Sequence, residues 1–506
     1  MNTAIVNEPR RVVPRWRNFL STVEMGEFSS LKNATQIYQI PTADINAAKR
    51  AWNTNRSLFS AGELLATAIQ ANDISAAKEA AEFIFRHKDE CSPFVLRTAQ
   101  QVLTYRNQLI IEDSPTEASL WRQPKFDRKI IGLLRRQLSD FPNDSIRWMD
   151  LALAYTISGL HEKARRAIYT ALSLGGGNRF IIRSAVRFFV HIDEPDLALR
   201  ILAKSPSTKH DPWLIAAHIA VADIAKKQSG FQKIAQAMTL SGGHSPFNLS
   251  ELSSALATSE LSFGSDKKSK ALFRKSVEDP TENSVAQLRW AEDQLGKQVI
   301  DHQLTVPRNF EAEARIALST ARWDDTVKSS REWLCDEPFS SRPAIWGSYV
   351  ASVVIGNYNE ALKIAIEGLK ANPYDPTLLN NAAFCEASLN KIKEAEDYLS
   401  KIPTAITSNE NVAVRATEGL ILFRKGLRQE GRKKYLEAIA IAQENDLVRQ
   451  EALALSFLAR EEILAGDGFE EAAFKRAEDL VKNQNFIDLT KLLEYEKLLL
   501  GNRRNS

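Results

Sequence analysis

Residues 145–206 read SIRWMDLALAYTISGLHEKARRAIYTALSLGGGNRFIIRSAVRFFVHIDEPDLALRILAKSP, and this stretch decides the fold. Trp148, Ala164 and Ala171 stand at fixed offsets. Ile182, Ala198 and Ser205 repeat those offsets 34 residues later. Within each copy an apolar run of helical period is followed by a turn residue and a second helical run. A fixed period of this length is the mark of stacked helix pairs, each of which needs its neighbours to bury its apolar face.

The residue sizes fit that reading. Ala152 and Ala164 are small, so two antiparallel helices can approach closely. Trp148, Leu151 and Tyr155 fill the space beside them, and Gly159 lets the chain reverse. On this pattern Trp148 is a buried aromatic whose truncation would cost ~3–5 kcal/mol. Ala164→Leu would overpack the crossing by ~1–3 kcal/mol.

The order of large residue, Leu-Ala, Tyr, Gly, then Ala…Ile…Ala resembles the tetratricopeptide repeat (TPR). The second copy carries Ile182, Ala185, Phe189, Ala198 and Leu202 at matching places, and Gly175-Gly176-Gly177 stands where the family commonly ends a repeat with Pro. A better-ordered array lies downstream. It runs Ile345, Tyr349, Gly356, Ala361, Ala365 and Pro373, then Leu379, Ala382, Ala395 and Pro403, then Gly419, Leu422, Gly426, Gly431 and Tyr435. Ala361 and Ala395 are again 34 apart. The resemblance implies an all-α, right-handed superhelical solenoid of antiparallel helix pairs, with degenerate pairs between two better-ordered arrays.

The chain divides on this reading into an irregular N-terminal arm or cap (1–43) and N-terminal helical pairs (44–120). A first TPR-like array with a degenerate C-terminal part follows (121–280), then a connecting helix and linker (281–310). A second TPR array (311–485) and a capping helix with tail (486–506) complete it. Asp113-Ser114-Pro115-Thr116 reads as a boundary loop.

Composition excludes several classes. With 44% apolar and 25% charged residues in 506, and only 21 Gly and 18 Pro, the chain is neither disordered nor collagenous. The net charge of +3 argues against a protein that is basic as a whole, yet residues 121–210 hold 16 Lys/Arg against 8 Asp/Glu. Cys91, Cys335 and Cys385 are odd in number and far apart, which predicts reduced core thiols in a cytoplasmic protein. No apolar run is long enough for a membrane span, and the N-terminus lacks a secretory pattern.

Catalytic patterns are absent. There is no G-x-x-x-x-G-K-[ST], no G-x-S-x-G and no H-E-x-x-H among the seven histidines. Asp193, Glu194 and Asp196 share one turn, which reads as a solvated helix start rather than a metal site. The chain is therefore expected to be no enzyme, with no cofactor and no metal.

Binding surfaces are better indicated. In the family the first helix of each pair lines a concave groove. That implies Phe180, Arg183, Arg187, Val190 and His191 on one groove. Arg179, Arg183 and Arg187 are four apart and share a helix face. They either meet an anionic partner, acidic protein or nucleic acid, or pair with acids on neighbouring helices. The corresponding positions downstream are Trp346 and Val350, then Thr377, Asn380, Asn381, Phe384 and Ser388. Asn side chains there could bond an extended peptide backbone. Some family members clamp a terminal carboxylate with Lys and Asn, but Trp346-Gly347 stands where one of those would be wanted. The leading expectation is a scaffold or adaptor binding a protein or peptide partner within a larger complex. The alternative is a helical-repeat nucleic-acid binder using residues 121–210.

Overall fold

The computed structural model describes residues 9–18, 42–70, 73–91, 93–104, 128–241, 243–300, 304 and 306–504. The boundary loop at 113–116 and most of the N-terminal arm lie outside the described residues. Among those described the regular structure is entirely helical. Contacts divide the chain into two compact units, Val13–Met238 and a second made of the segment ending at Val12 together with Thr239 onward. The division falls inside the stretch read as the first array and its degenerate part.

The first unit contains α1 (Thr42–Thr54), α2 (Leu58–Gln70), α3 (Ile74–Arg86), α4 (Pro93–Thr104), α5 (Arg128–Asp140), α6 (Ser145–Ile157), α7 (His161–Gly175), α8 (Arg179–His191), α9 (Pro195–Lys204) and α10 (Pro212–Ile224). Helix α11 (Gln232–Leu240) runs across the division. The second unit holds α12 (Pro246–Phe263), α13 (Asp266–Ser276), α14 (Glu282–Leu295), α15 (Phe310–Ser319), α16 (Trp323–Asp336) and α17 (Ser341–Tyr349). It continues with α18 (Tyr358–Ala371), α19 (Pro376–Ser388), α20 (Ile392–Ser400), α21 (Ser408–Arg424), α22 (Arg428–Glu444), α23 (Val448–Ala465), α24 (Glu470–Gln484) and α25 (Ile487–Arg504).

Each pair is an antiparallel hairpin, α6 with α7, α8 with α9, α17 with α18, α19 with α20, α21 with α22 and α23 with α24. First helices also stack on one another, α6 on α8 on α10 and α17 on α19 on α21 on α23 on α25. These are helix pairs of the tetratricopeptide type, packed as a repeat.

One backbone device recurs in the turns. Gly159, Asp193, Lys226, Ala321, Gly356, Asn390 and Gly426 all take positive φ, from 54° to 80°. In most of them the next residue's N–H donates back into the preceding helix. Leu160 bonds Tyr155 O at 2.9 Å, Glu194 bonds Phe189 O at 2.7 Å, and Lys391 bonds Glu386 O at 2.8 Å. This is the helix-ending Schellman arrangement. It explains the acidic turn at 193–196: Asp193 holds the left-handed position that glycine holds 34 residues earlier. Helix starts are capped by side chains. Asp144, Asn178, Asp211 and Asp375 each accept from the first turn of the next helix.

The small repeat positions are where the crossings need them. Ala152, Ala164, Ala171, Ala198, Ala361 and Ala395 are wholly buried, and Leu151 nearly so. At α21–α22 the approach is closer still. A Cβ on Gly419 would lie 2.9 Å from Gly431 O and 2.7 Å from Tyr435, so only glycine fits. Pro373 is exposed, two residues beyond the end of α18, and Tyr155 is half-buried near the end of α6.

Trp148 departs from expectation. It is half-buried, its indole donating to Pro142 O at 2.8 Å, while Met149 fills the core. With part of its ring in water it loses less on truncation than a core aromatic. The cysteines also differ from a set of core thiols: Cys385 is buried, Cys91 half-buried and Cys335 exposed. Burial pushes the Cys385 thiol up to about 12.

Candidate functional site

The basic helix of the first unit is α8. Its side chains are largely spoken for within the fold. Phe180 is 5% exposed and Arg183 4%, and the Arg183 guanidinium lies over the Trp213 ring at 4.5 Å. Arg179 pairs with Asp211 at 2.6 Å, the same residue that caps α10. His191 sits edge-on to His161 at 5.3 Å, and burial, with Arg187 and His161 nearby, pushes it down to about 3. It is neutral at ordinary pH. Arg187 is half-buried. Trp16, 1% exposed, packs edge-on against Phe188 with centroids 6.2 Å apart. Of the three arginines only Arg183 is fully buried, and its packing on an aromatic explains its presence without a ligand.

The second unit contains an open site. First helices α17, α19, α21 and α23 surround a cavity of about 210 Å³. Ile345, Tyr349, Ser352 and Val353 come from α17 and its extension, and Thr377, Asn380, Asn381 and Phe384 from α19. Val412, Ala413 and Ala416 come from α21, and Arg449, Leu453 and Phe457 from α23. The walls are mainly apolar, with a few convergent polar groups, as small ligand and peptide sites commonly are.

Two polar features stand out. Asn381 donates through Nδ2 to Ser348 Oγ at 3.0 Å, which holds it against α17. Asn380 is 7% exposed, and its Oδ1 is buried with no hydrogen-bond partner. A buried carbonyl left unsatisfied costs about 1–3 kcal/mol, which a donor brought to this atom by a small shift of the side chain would recover. Beside it α17 loosens into a π-helical turn at Val350–Val354, closed by Ile355 N to Val350 O at 3.0 Å. Such turns often occur at functional sites.

One wall is fastened across the array. Tyr349 donates to Asp488 Oδ2 at 2.7 Å, Arg449 donates to Tyr349 Oη at 2.8 Å, and Arg449 also pairs with Asp488. Arg449 packs over the Tyr349 and Phe486 rings. Its charge is met by Asp488, so the cavity offers little free positive charge. Phe384 and Phe457 meet edge-on at 4.9 Å, with Arg460 above both.

Asn380, Asn381, Phe384 and Thr377 therefore line this cavity, and Trp346 does not. Trp346 is 1% exposed, packed edge-on to Trp333 at 5.8 Å and beneath Arg315. A helix turns about 100° per residue, so Ile345 and Tyr349 face the cavity and their neighbour faces the core. Val350 is fully buried too. The α21 and α23 contributions were missed from sequence. A usable signal was present for α21: Thr407-Ser-Asn-Glu410 is a capping box, and it forms.

Among the described residues no group of three His, Cys, Asp or Glu could hold a metal ion, and no helix is long and apolar enough to cross a membrane.

No family model matches the chain, and no curated protein matches it. Solved structures do. It is similar to a human IFIT1 dimer with m7Gppp-AAAA at 14% identity, covering 71% of this chain and 95% of that one, with a TM-score of 0.36. It is similar to the APC/C hetero-tetramer Cut9-Hcn1 at 12% identity, covering 95% and 96%, with a TM-score of 0.40. It is similar to yeast Tom70 at 12% identity, covering 88% and 96%, with a TM-score of 0.29. At such scores the fold rests on the helix pairs themselves.

Proposed function

We propose that this protein is a non-catalytic TPR-type scaffold that binds an extended segment of a partner protein in the α17–α23 cavity, as a subunit or regulator of a larger complex in the cytoplasm. The observation carrying this reading is the buried, unsatisfied Asn380 Oδ1 on a mainly apolar wall. A peptide backbone N–H is the complement of that atom, and apolar side chains are the complement of Phe384, Leu453 and Phe457. The reading needs no cofactor or metal. The segment it favours is uncharged and apolar, because Arg449 is already matched by Asp488.

An acidic partner or nucleic acid at α8 has less support, since Arg183 is buried against Trp213 and Arg179 is paired with Asp211.

The test is selection from a random 12-residue peptide library on the full chain, followed by affinity measurement on Asn380→Leu. Selected peptides are expected to be apolar, insensitive to salt and at least tenfold weaker on the variant. Peptides that bind both chains alike, or none at all, would remove the reading.

A further inference from the structure

A second site lies elsewhere in the second unit, and it is filled by the chain itself. Residues 9–18 form no helix. From Pro9 to Trp16 their burial alternates: Arg10, Val12, Pro14 and Trp16 are buried while their neighbours are more open. That is the period of an extended chain.

At Arg10 the contacts are those of a ligand in a site. Its guanidinium donates through Nε and Nη2 to the two oxygens of Glu311, at 2.8 and 2.9 Å. It also donates to Gln287 Oε1 at 2.7 Å and Asn283 Oδ1 at 2.9 Å. In return Gln287 Nε2 donates to the Arg10 carbonyl at 2.9 Å, so one side chain reads both the arginine head and its backbone. Asn283 and Gln287 are four apart on α14, hence on one face. Arg11 lies over Trp290 at 5.8 Å.

The receiving side is itself braced. Asn283 donates to Glu251 on α12 at 3.1 Å, and Gln287 donates to Thr258 at 3.1 Å. Arg342 supports Glu311 at 3.0 Å. Arg10 is 3% exposed and Glu311 2%, so the forked pair is desolvated. A planar fork meeting a carboxylate and two amide oxygens is selective for arginine over lysine.

We propose that the groove of α12, α14 and α15 is a recognition site for an extended segment presenting arginine, and that residues 9–12 occupy it as a cis-acting ligand that a partner carrying the same feature displaces. This stands on contacts separate from the Asn380 cavity, so either can fail alone.

The experiment uses a labelled peptide of residues 9–18 and the full chain, wild type and Arg10→Ala, with far-UV circular dichroism confirming that the variant is helical. The variant is expected to bind the peptide at least tenfold tighter than the wild type, whose own arm competes. Peptide Arg10→Lys or Arg10→Ala should lose at least tenfold, and added salt should weaken binding. A readout free of any folding defect is hydrogen exchange on the wild-type chain. Excess peptide should speed exchange at the Arg11 and Val12 amides. Equal binding by both chains, indifference to the peptide's arginine, or exchange unchanged by excess peptide would each show a permanent structural staple and overturn the proposal.

Discussion

The first helices of α8–α9 and α19–α20 hold equivalent places in their repeats, yet one face is filled and the other open. On α8 the long side chains fold onto protein: Arg183 on Trp213, Arg179 on Asp211, and Phe188 under Trp16. On α19 the shorter Asn380 and Asn381 leave space, and only Asn381 is tied to a neighbouring helix. Position in a repeat sets which way a residue faces. What stands in front of it is set by residues far away in the chain.

The sharpest way to break this contrast is Trp213→Ala. Trp213 is 1% exposed and covers Arg183. Its loss should cost ~3–5 kcal/mol in chemical denaturation, because it leaves a cavity and a buried cation without its aromatic face. A cost under about 1 kcal/mol would mean that the α8 face is open after all.

A pH effect comes next. Glu63 on α2 accepts from Asn178, the cap of α8, and burial pushes its carboxyl up to about 7. The unfolded chain ionises near 4.5, so between these values the folded state holds more protons. Stability should therefore fall as pH rises through that window, by up to about 3 kcal/mol. Glu63→Gln should flatten the dependence and raise the melting temperature above pH 7. An unchanged profile would refute the assignment.

Trp148→Ala should cost about 1–2 kcal/mol rather than the loss of a core aromatic, given its half exposure. Thermal melts compared with Trp213→Ala would show the two ranked apart. The smallest stability loss belongs to Asn380→Leu, which should be neutral or stabilising in chemical denaturation, since it removes a buried carbonyl that has no partner. A large loss would place that oxygen in an internal bond instead of at a binding surface.

The fold was legible because its signal is local. Ala164 and Ala198 mark helix crossings through size alone, and the turn residues 159 and 193 share one backbone state despite different identities. The side of α19 that carries Asn380 and Phe384 was readable from the same register. Trp346 was not, since a shift of one residue turns a side chain from groove to core. Arg10 was legible only as part of an arm. Its partners Asn283, Gln287 and Glu311 lie more than 270 residues away. No local pattern in 9–18 points to them.

The Tyr349–Arg449–Asp488 contact has a mechanical meaning. It ties α17 to α25, residues 139 apart, with the three stacked first helices α19, α21 and α23 between them. An untied stack of repeats behaves as a spring whose pitch can lengthen at every interface with small local cost. With its ends joined, any extension must first open this desolvated ion pair, so the array responds to pulling with a threshold instead of a gradual stretch.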